Sequence, residues 1–153
     1  MFQILDFIFQ LMEERNDDMS SSNIIIREPK GFAGLIANIM SPLNENPNFK
    51  QAFKNTERRI LVNATNLHYA ALVTIDKGSL KVESVRNEPK TNLAKKVTGW
   101  NGYVAMDTQI FLALATKKLS LIKLGVKFLK SEVKLKGIFK LLVLLKLLKM
   151  LTG

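Results

Sequence analysis

The chain has no cysteine, which excludes a disulfide framework, a thiolate metal site, an iron–sulfur cluster and a cysteine nucleophile. It has a single histidine, His68. A metal centre needs several convergent His, Cys, Asp or Glu, so none is expected. His68 falls in a strand-like run between Leu67 and Tyr69, where a lone His is a satisfied or solvated side chain rather than a catalyst. Neither GxGxxG nor GxxxxGK[ST] occurs, and the glycines of KGFAG and TGWNG lack the strand-to-helix context of a phosphate cradle. Asp76, Glu83 and Glu88 follow turn and outward strand positions, which suggests solubilising carboxylates and no paired general acid and base. Catalytic constellations are therefore lacking. The expectation is a protein with no chemistry of its own and no cofactor.

No basic region or small-residue cleavage site marks the opening MFQILDFIFQLMEER, and Asp6, Glu13 and Glu14 interrupt it. It is a poor signal peptide. With the missing cysteines, this points to a cytoplasmic protein. The hydrophobic fraction of 47% and charged fraction of 24% are those of a folded chain, excluding wholesale disorder. At 153 residues the chain fits one domain with a sizeable core.

Acidic residues are scarce at one end. From Lys117 onward ten Lys stand against Glu132 alone, a net +9 that leaves only +1 of the total +10 for residues 1 to 116. Such asymmetry suits a membrane surface, nucleic acid or an acidic ligand. The tail has no Arg, Tyr or Trp, whereas nucleic-acid surfaces favour Arg forks and stacking rings. Its Lys alternate with Leu, Ile, Val and Phe. An apolar partner with an anionic rim fits better.

Along the chain, Phe2, Ile4, Leu5, Phe7, Ile8, Phe9, Leu11 and Met12 form the wide apolar face of a first helix. DDMSSSN breaks it. A second helix is expected to begin at Pro29, to bury Phe32, Leu35, Ile36 and Ile39, and to end at Pro42. Pro47 opens a short helix presenting Phe49 and Phe53. From Arg58 the period becomes that of strands: RRILVNAT, LHYAALVTI and SLKVESV predict an antiparallel meander, with Gly78 of DKG taking positive φ in a hairpin. NEPKTNLAKKVTGWNG reads as a polar loop in which Trp100 is expected as a buried aromatic, with a mobile lid or a membrane anchor as the alternatives. GYVAMD predicts a short strand, and TQIFLALATKK a helix capped by Asp107 or Thr108. LSLIKLGVKFLKS predicts a further helix, EVKLKG a last strand and IFKLLVLLKLLKML a closing helix.

The order and content of these pieces, notably YVAMDTQIFLALAT and EVKLKGIFKLLVLLKLL, resemble the sterol carrier protein 2 (SCP-2) domain from about Glu57 to Leu151. The resemblance implies an α+β fold, a five-stranded, mostly antiparallel sheet with helices packed on one face. It also implies an apolar tunnel between sheet and helices that binds sterols, phospholipids or fatty acyl chains. One domain over 1–153 is expected, with a helical part at 1–56 and the resembling region at 57–153. Lys117 and Lys118 stand where the family commonly has Gly.

Eleven of the fourteen residues from Ile138 to Leu151 are apolar. On a wheel, Leu141, Val143, Leu144, Leu145, Leu147, Leu148, Met150 and Leu151 sweep about 220°, beyond the roughly 100° stripe of a surface helix. The segment falls short of the ~20 residues that span a bilayer. A core helix, a cavity wall, an interfacial membrane helix and a dimer face all satisfy such a surface. The expected lipid-binding residues are Phe111, Leu112, Leu114, Phe128, Leu141, Leu144, Leu145 and Leu148. Lys117, Lys118, Lys123, Lys127 and Lys130 are the expected contacts to an anionic membrane surface. Lipid binding, and transfer between membranes, is the function expected; a basic nucleic-acid-binding protein and a lipid-presenting accessory protein of an enzyme are the alternatives.

Overall fold

The computed structural model describes residues 24–115, 120, 123, 126, 127, 130 and 132–152, the side chains of 114, 115, 148 and 152 excepted. The first predicted helix lies outside the described residues, as does most of LSLIKLGVKFLKS. Of the latter, Lys123, Val126 and Lys127 have helical backbone.

The elements run β1 (Ile25–Ile26), α1 (Phe32–Met40), a 3-10 turn (Ser41–Glu45), α2 (Pro47–Ala52), β2 (Glu57–Ala64), β3 (Tyr69–Asp76) and β4 (Ser79–Arg86). A second 3-10 turn (Lys90–Leu93), α3 (Lys95–Thr98), β5 (Gly102–Met106), α4 (Thr108–Ala115), β6 (Lys134–Lys136) and α5 (Ile138–Thr152) follow. The sheet has six strands in the order β1-β4-β3-β2-β5-β6, not the five expected. The addition is β1, which pairs Ile25 with Val85 and Ile26 with Ser84 at one edge. A strand of two residues has no alternation to detect, so SNIIIREPK gave no signal.

The meander β2-β3-β4 is antiparallel as expected. Its second hairpin takes positive φ at both central residues, Lys77 (50°) and Gly78 (86°), the backbone a tight two-residue turn demands. β5 returns parallel to β2, and β6 closes the other edge antiparallel to β5. The second helix starts at Phe32 and not at Pro29, because Gly31 with φ 53° turns the chain immediately before it. As expected, the α-helix ends at Met40, just ahead of Pro42, which enters the following 3-10 turn where its missing N–H costs nothing. His68 lies in the turn before β3, outside the strand run in which it was expected. NEPKTNLAKKVTGWNG carries the second 3-10 turn and α3 where a loop was expected.

Alternation along the strands separates two cores. On the first face Ile60, Val62, Val73, Ile75, Val104 and Met106 pack under Phe32, Leu35 and Ile36 of α1, Phe49 and Phe53, and Leu141 and Leu147 of α5. On the second face Leu61, Ala70, Leu72 and Val85 are covered by Ile25, Leu93, Trp100 and Tyr103. Asn44 fixes the first 3-10 turn to β4, donating to the Leu80 carbonyl and accepting from the Leu80 amide, both at 2.9 Å. Ser84 likewise accepts from the Lys30 amide and donates to the Glu28 carbonyl.

Candidate functional site

The first candidate site is the ground between α4, α5 and the sheet. Asp107 caps α4, its carboxylate accepting from the Gln109 amide at 2.7 Å. Asn66 receives both the Thr108 amide (3.0 Å) and the Thr108 hydroxyl (2.7 Å), which ties the start of α4 to the β2–β3 turn. Phe111 is thereby brought edge-on to Phe32, with ring centroids 5.2 Å apart. At the start of α5, Gly137 takes φ 67° against the Asn101 carbonyl. A Cβ on Gly102 would stand 2.9 Å from Leu141 Cδ2, so α5 rests directly on β5.

Of the expected lipid-binding residues, Phe111, Leu141 and Leu144 meet in the first-face core. Leu112 is half-buried. Leu145 sits on the outer side of α5 with Ile138, Phe139 and Leu142, and Phe139 is 86% exposed. The helix is thus apolar on both sides: Leu141 and Leu147 face inward, and the outer row meets solvent. Phe128 and the side chains of Leu114 and Leu148 lie outside the described residues. So do Lys117 and Lys118. Lys123 and Lys130 are exposed, whereas Lys127 is occupied by Glu132 at 3.4 Å. No described helix is long and apolar enough to cross a membrane.

The second face holds a cavity that sequence reasoning missed, with a volume of about 520 Å³. Its floor is Asn63 and Tyr103, its wall Leu93, Ala94 and Trp100, and its rim carries Lys90, Lys95, Lys134 and Lys136 with Glu88. Asn63 and Asn87, each 6% exposed, meet at 3.3 Å with Asn87 Nδ2 donating. Asn87 Nδ2 also donates to the Leu67 carbonyl. The Tyr103 hydroxyl is hydrogen-bonded to Asn63; burial raises its pKa above the ordinary value, and the bond to Asn63 partly offsets this. Trp100 donates its indole N–H to the Leu93 carbonyl at 2.9 Å and lies 5.6 Å from the Tyr103 ring. Asn101 and Arg59 exchange two bonds, Asn101 N to Arg59 O at 2.8 Å and Arg59 N to Asn101 Oδ1 at 2.6 Å, which seats the wall on β2.

Glu83, expected to point outward, is 8% exposed and lies 3.5 Å from Lys81.

A solved structure described as "UbiJ-SCP2 Ubiquinone synthesis protein" aligns over 80% of this chain and 96% of its own, with TM-score 0.53 and 15% identity. The fold is SCP-2-like. The resemblance drawn from the sequence therefore holds for the architecture, with the sixth strand added. Partial matches are a double mutant of the sec-alkyl sulfatase PisA1 and the stereoselective inverting sec-alkylsulfatase Pisa1 from Pseudomonas sp.. Each is 17% identical and covers 57% of this chain but 12% of the larger one, with TM-scores of 0.43 and 0.41. No family model matches the chain, and no curated protein does.

Proposed function

We propose that this SCP-2-like chain binds a lipid or another long apolar ligand on the helical face of its sheet, without transforming it. The observation that carries the reading is α5. Its inner leucines complete the core, while Ile138, Phe139, Leu142 and Leu145 form a second apolar row in solvent. Contiguous exposed apolar surface of this kind marks an apolar partner. A bound acyl chain would gain about 0.8 kcal/mol per methylene removed from water. Apolar walls discriminate little between head groups, so the Lys-rich tail would supply the preference, on the order of 1 kcal/mol per Lys near an anionic surface.

Native mass spectrometry of the purified full chain tests this directly. The expected result is a lipid-sized mass excess that solvent extraction removes, after which a fluorescent 16-carbon fatty acid binds saturably. A chain that carries no lipid and never binds the fatty acid, yet holds nucleic acid tightly at physiological salt, would reverse the assignment.

A further inference from the structure

The cavity on the second face lies across the sheet from the helical side, and its chemistry is different. Its volume of about 520 Å³ is that of a small-molecule site. The side chains that build it follow from strand alternation: Asn63 alternates with the inward Val62 and Ala64, and Tyr103 and Ala105 with Val104 and Met106. On β6, Lys134 and Lys136 alternate with Leu135, which joins the first-face core. Four Lys against one Glu give the rim a net +3. Among the described residues none of these four Lys forms an ion pair, although other Lys do. Two of them stand over the rings, Lys95 Nζ 5.7 Å from the Trp100 centroid and Lys136 Nζ 5.8 Å from that of Tyr103.

Like charges gathered round one concavity repel one another, and an anion placed among them relieves that repulsion. The buried amides satisfy one another and Tyr103, so they hold the rings in place and leave the charge recognition to the Lys. The lining also offers apolar area on Trp100, Tyr103 and Leu93, which a bare inorganic anion leaves uncovered. A ligand using the whole site has a flat apolar body for the rings and an acidic group for the ammonium groups. Four point charges without an Arg fork do not distinguish carboxylate from phosphate.

We propose that this second-face cavity binds a small aromatic anion, an aryl or arylalkyl phosphate or carboxylate, with its ring against Trp100 and Tyr103 and its acid among Lys90, Lys95, Lys134 and Lys136. The site does not rest on the lipid reading, because the sheet separates the two.

Trp100 is the one Trp of the chain and lines the cavity, so its emission reports occupancy of this site. The full chain is titrated with phenyl phosphate, inorganic phosphate, benzylamine and phosphatidylglycerol vesicles, with calorimetry in parallel. Phenyl phosphate is expected to change the emission saturably and to bind roughly tenfold more tightly than inorganic phosphate; benzylamine, which has a ring but the opposite charge, should not saturate. The double variant Lys95→Gln, Lys136→Gln should weaken phenyl phosphate by about tenfold while leaving the melting temperature unchanged, as both side chains are exposed. Equal binding of inorganic phosphate or benzylamine, an undiminished double variant, or a response to vesicles alone would each overturn the assignment. A chain that binds the 16-carbon fatty acid but not phenyl phosphate refutes this site and leaves the lipid reading standing; the converse result does the opposite.

Discussion

On α5, Leu147 and Phe139 offer the sharpest separation of structural from functional surface. Leu147 is 0% exposed and belongs to the first-face core, whereas Phe139 is 86% exposed. Leu147→Ala loses the transfer energy of the removed atoms and leaves a void, a cost of about 2 to 5 kcal/mol. At roughly 2 to 4 °C per kcal/mol for a domain of this size, the melting temperature should fall by ~4 to 20 °C. Full burial of a Phe side chain contributes about 1.5 to 3 kcal/mol, so one that stays 86% exposed contributes only a few tenths. Phe139→Ala should therefore move the melting temperature by no more than about 2 °C. If the outer row of α5 serves an apolar partner, the same change should weaken capture by vesicles or the fluorescent fatty acid several-fold. Thermal melts and equilibrium titrations on the two variants separate the outcomes. A Phe139→Ala protein that melts as early as Leu147→Ala would show that α5 is seated differently, and one that keeps full affinity would remove Phe139 from the binding surface.

Two further predictions concern a close approach and a titration. Gly137→Ala places a Cβ 2.2 Å from the Asn101 carbonyl at a φ of 67°, so it should lose at least ~1 to 3 kcal/mol. Gly34→Ala, in α1 and 3.4 Å from the Pro29 carbonyl, should instead gain up to about 1 kcal/mol, and thermal melts that reverse this order would refute the seating of β6 and α5. Burial raises the Tyr103 pKa, so its effect on stability is nil at neutral pH and destabilising as pH climbs from the unfolded phenol value near 10 through the higher folded one. Phenolate absorbance should show Tyr103 ionising late, and Tyr103→Phe should flatten the loss of stability in that window.

The three eight-residue strands and their hairpin were legible because each is a β-branched or alternating run of strand length and DKG marks the tight turn between the second and the third. β1, with two residues, could not be. The inward side of α5 was largely legible: the apolar arc read on the wheel holds Leu141, Val143, Leu144, Leu147, Met150 and Leu151, which join or pack against the first-face core, and it omits the exposed Ile138, Phe139 and Leu142. The sheet seats that side, through Leu141 closing onto Gly102 and Ile60. Leu141, Leu144 and Leu145 were all expected to bind lipid; the first two join the first-face core, whereas Leu145, at the edge of the apolar arc, is exposed. The second-face cavity left only half its signal in the sequence. KLK shows its alternation plainly, yet that Lys136 would stand over Tyr103 depends on β6 pairing with β5 in the register Tyr103↔Lys136, and on β5 lying parallel to β2. Long-range strand order has no local signature, so a site made by it appears only when the sheet is assembled.

The distribution of residues on the outer side of α5 bears on how an apolar ligand would reach the helical face. Its first turns carry Ile138, Phe139, Leu142 and Leu145, and its later turns carry exposed Lys146 and Lys149. Cations near a helix C-terminus are favourable to the helix itself. Apolar side chains and Lys along one exposed side also form the arrangement with which a helix lies in a membrane interface, its rings and leucines among acyl chains and its ammonium groups at the phosphates. The inner side meanwhile remains bound to the sheet through Leu141 and Leu147, so such contact requires no unfolding of α5. In the lipid-binding reading, that leaves the helix with one apolar side for the protein's own core and another for the membrane or ligand. This division explains why its sequence has so little of the polar face that an ordinary surface helix carries.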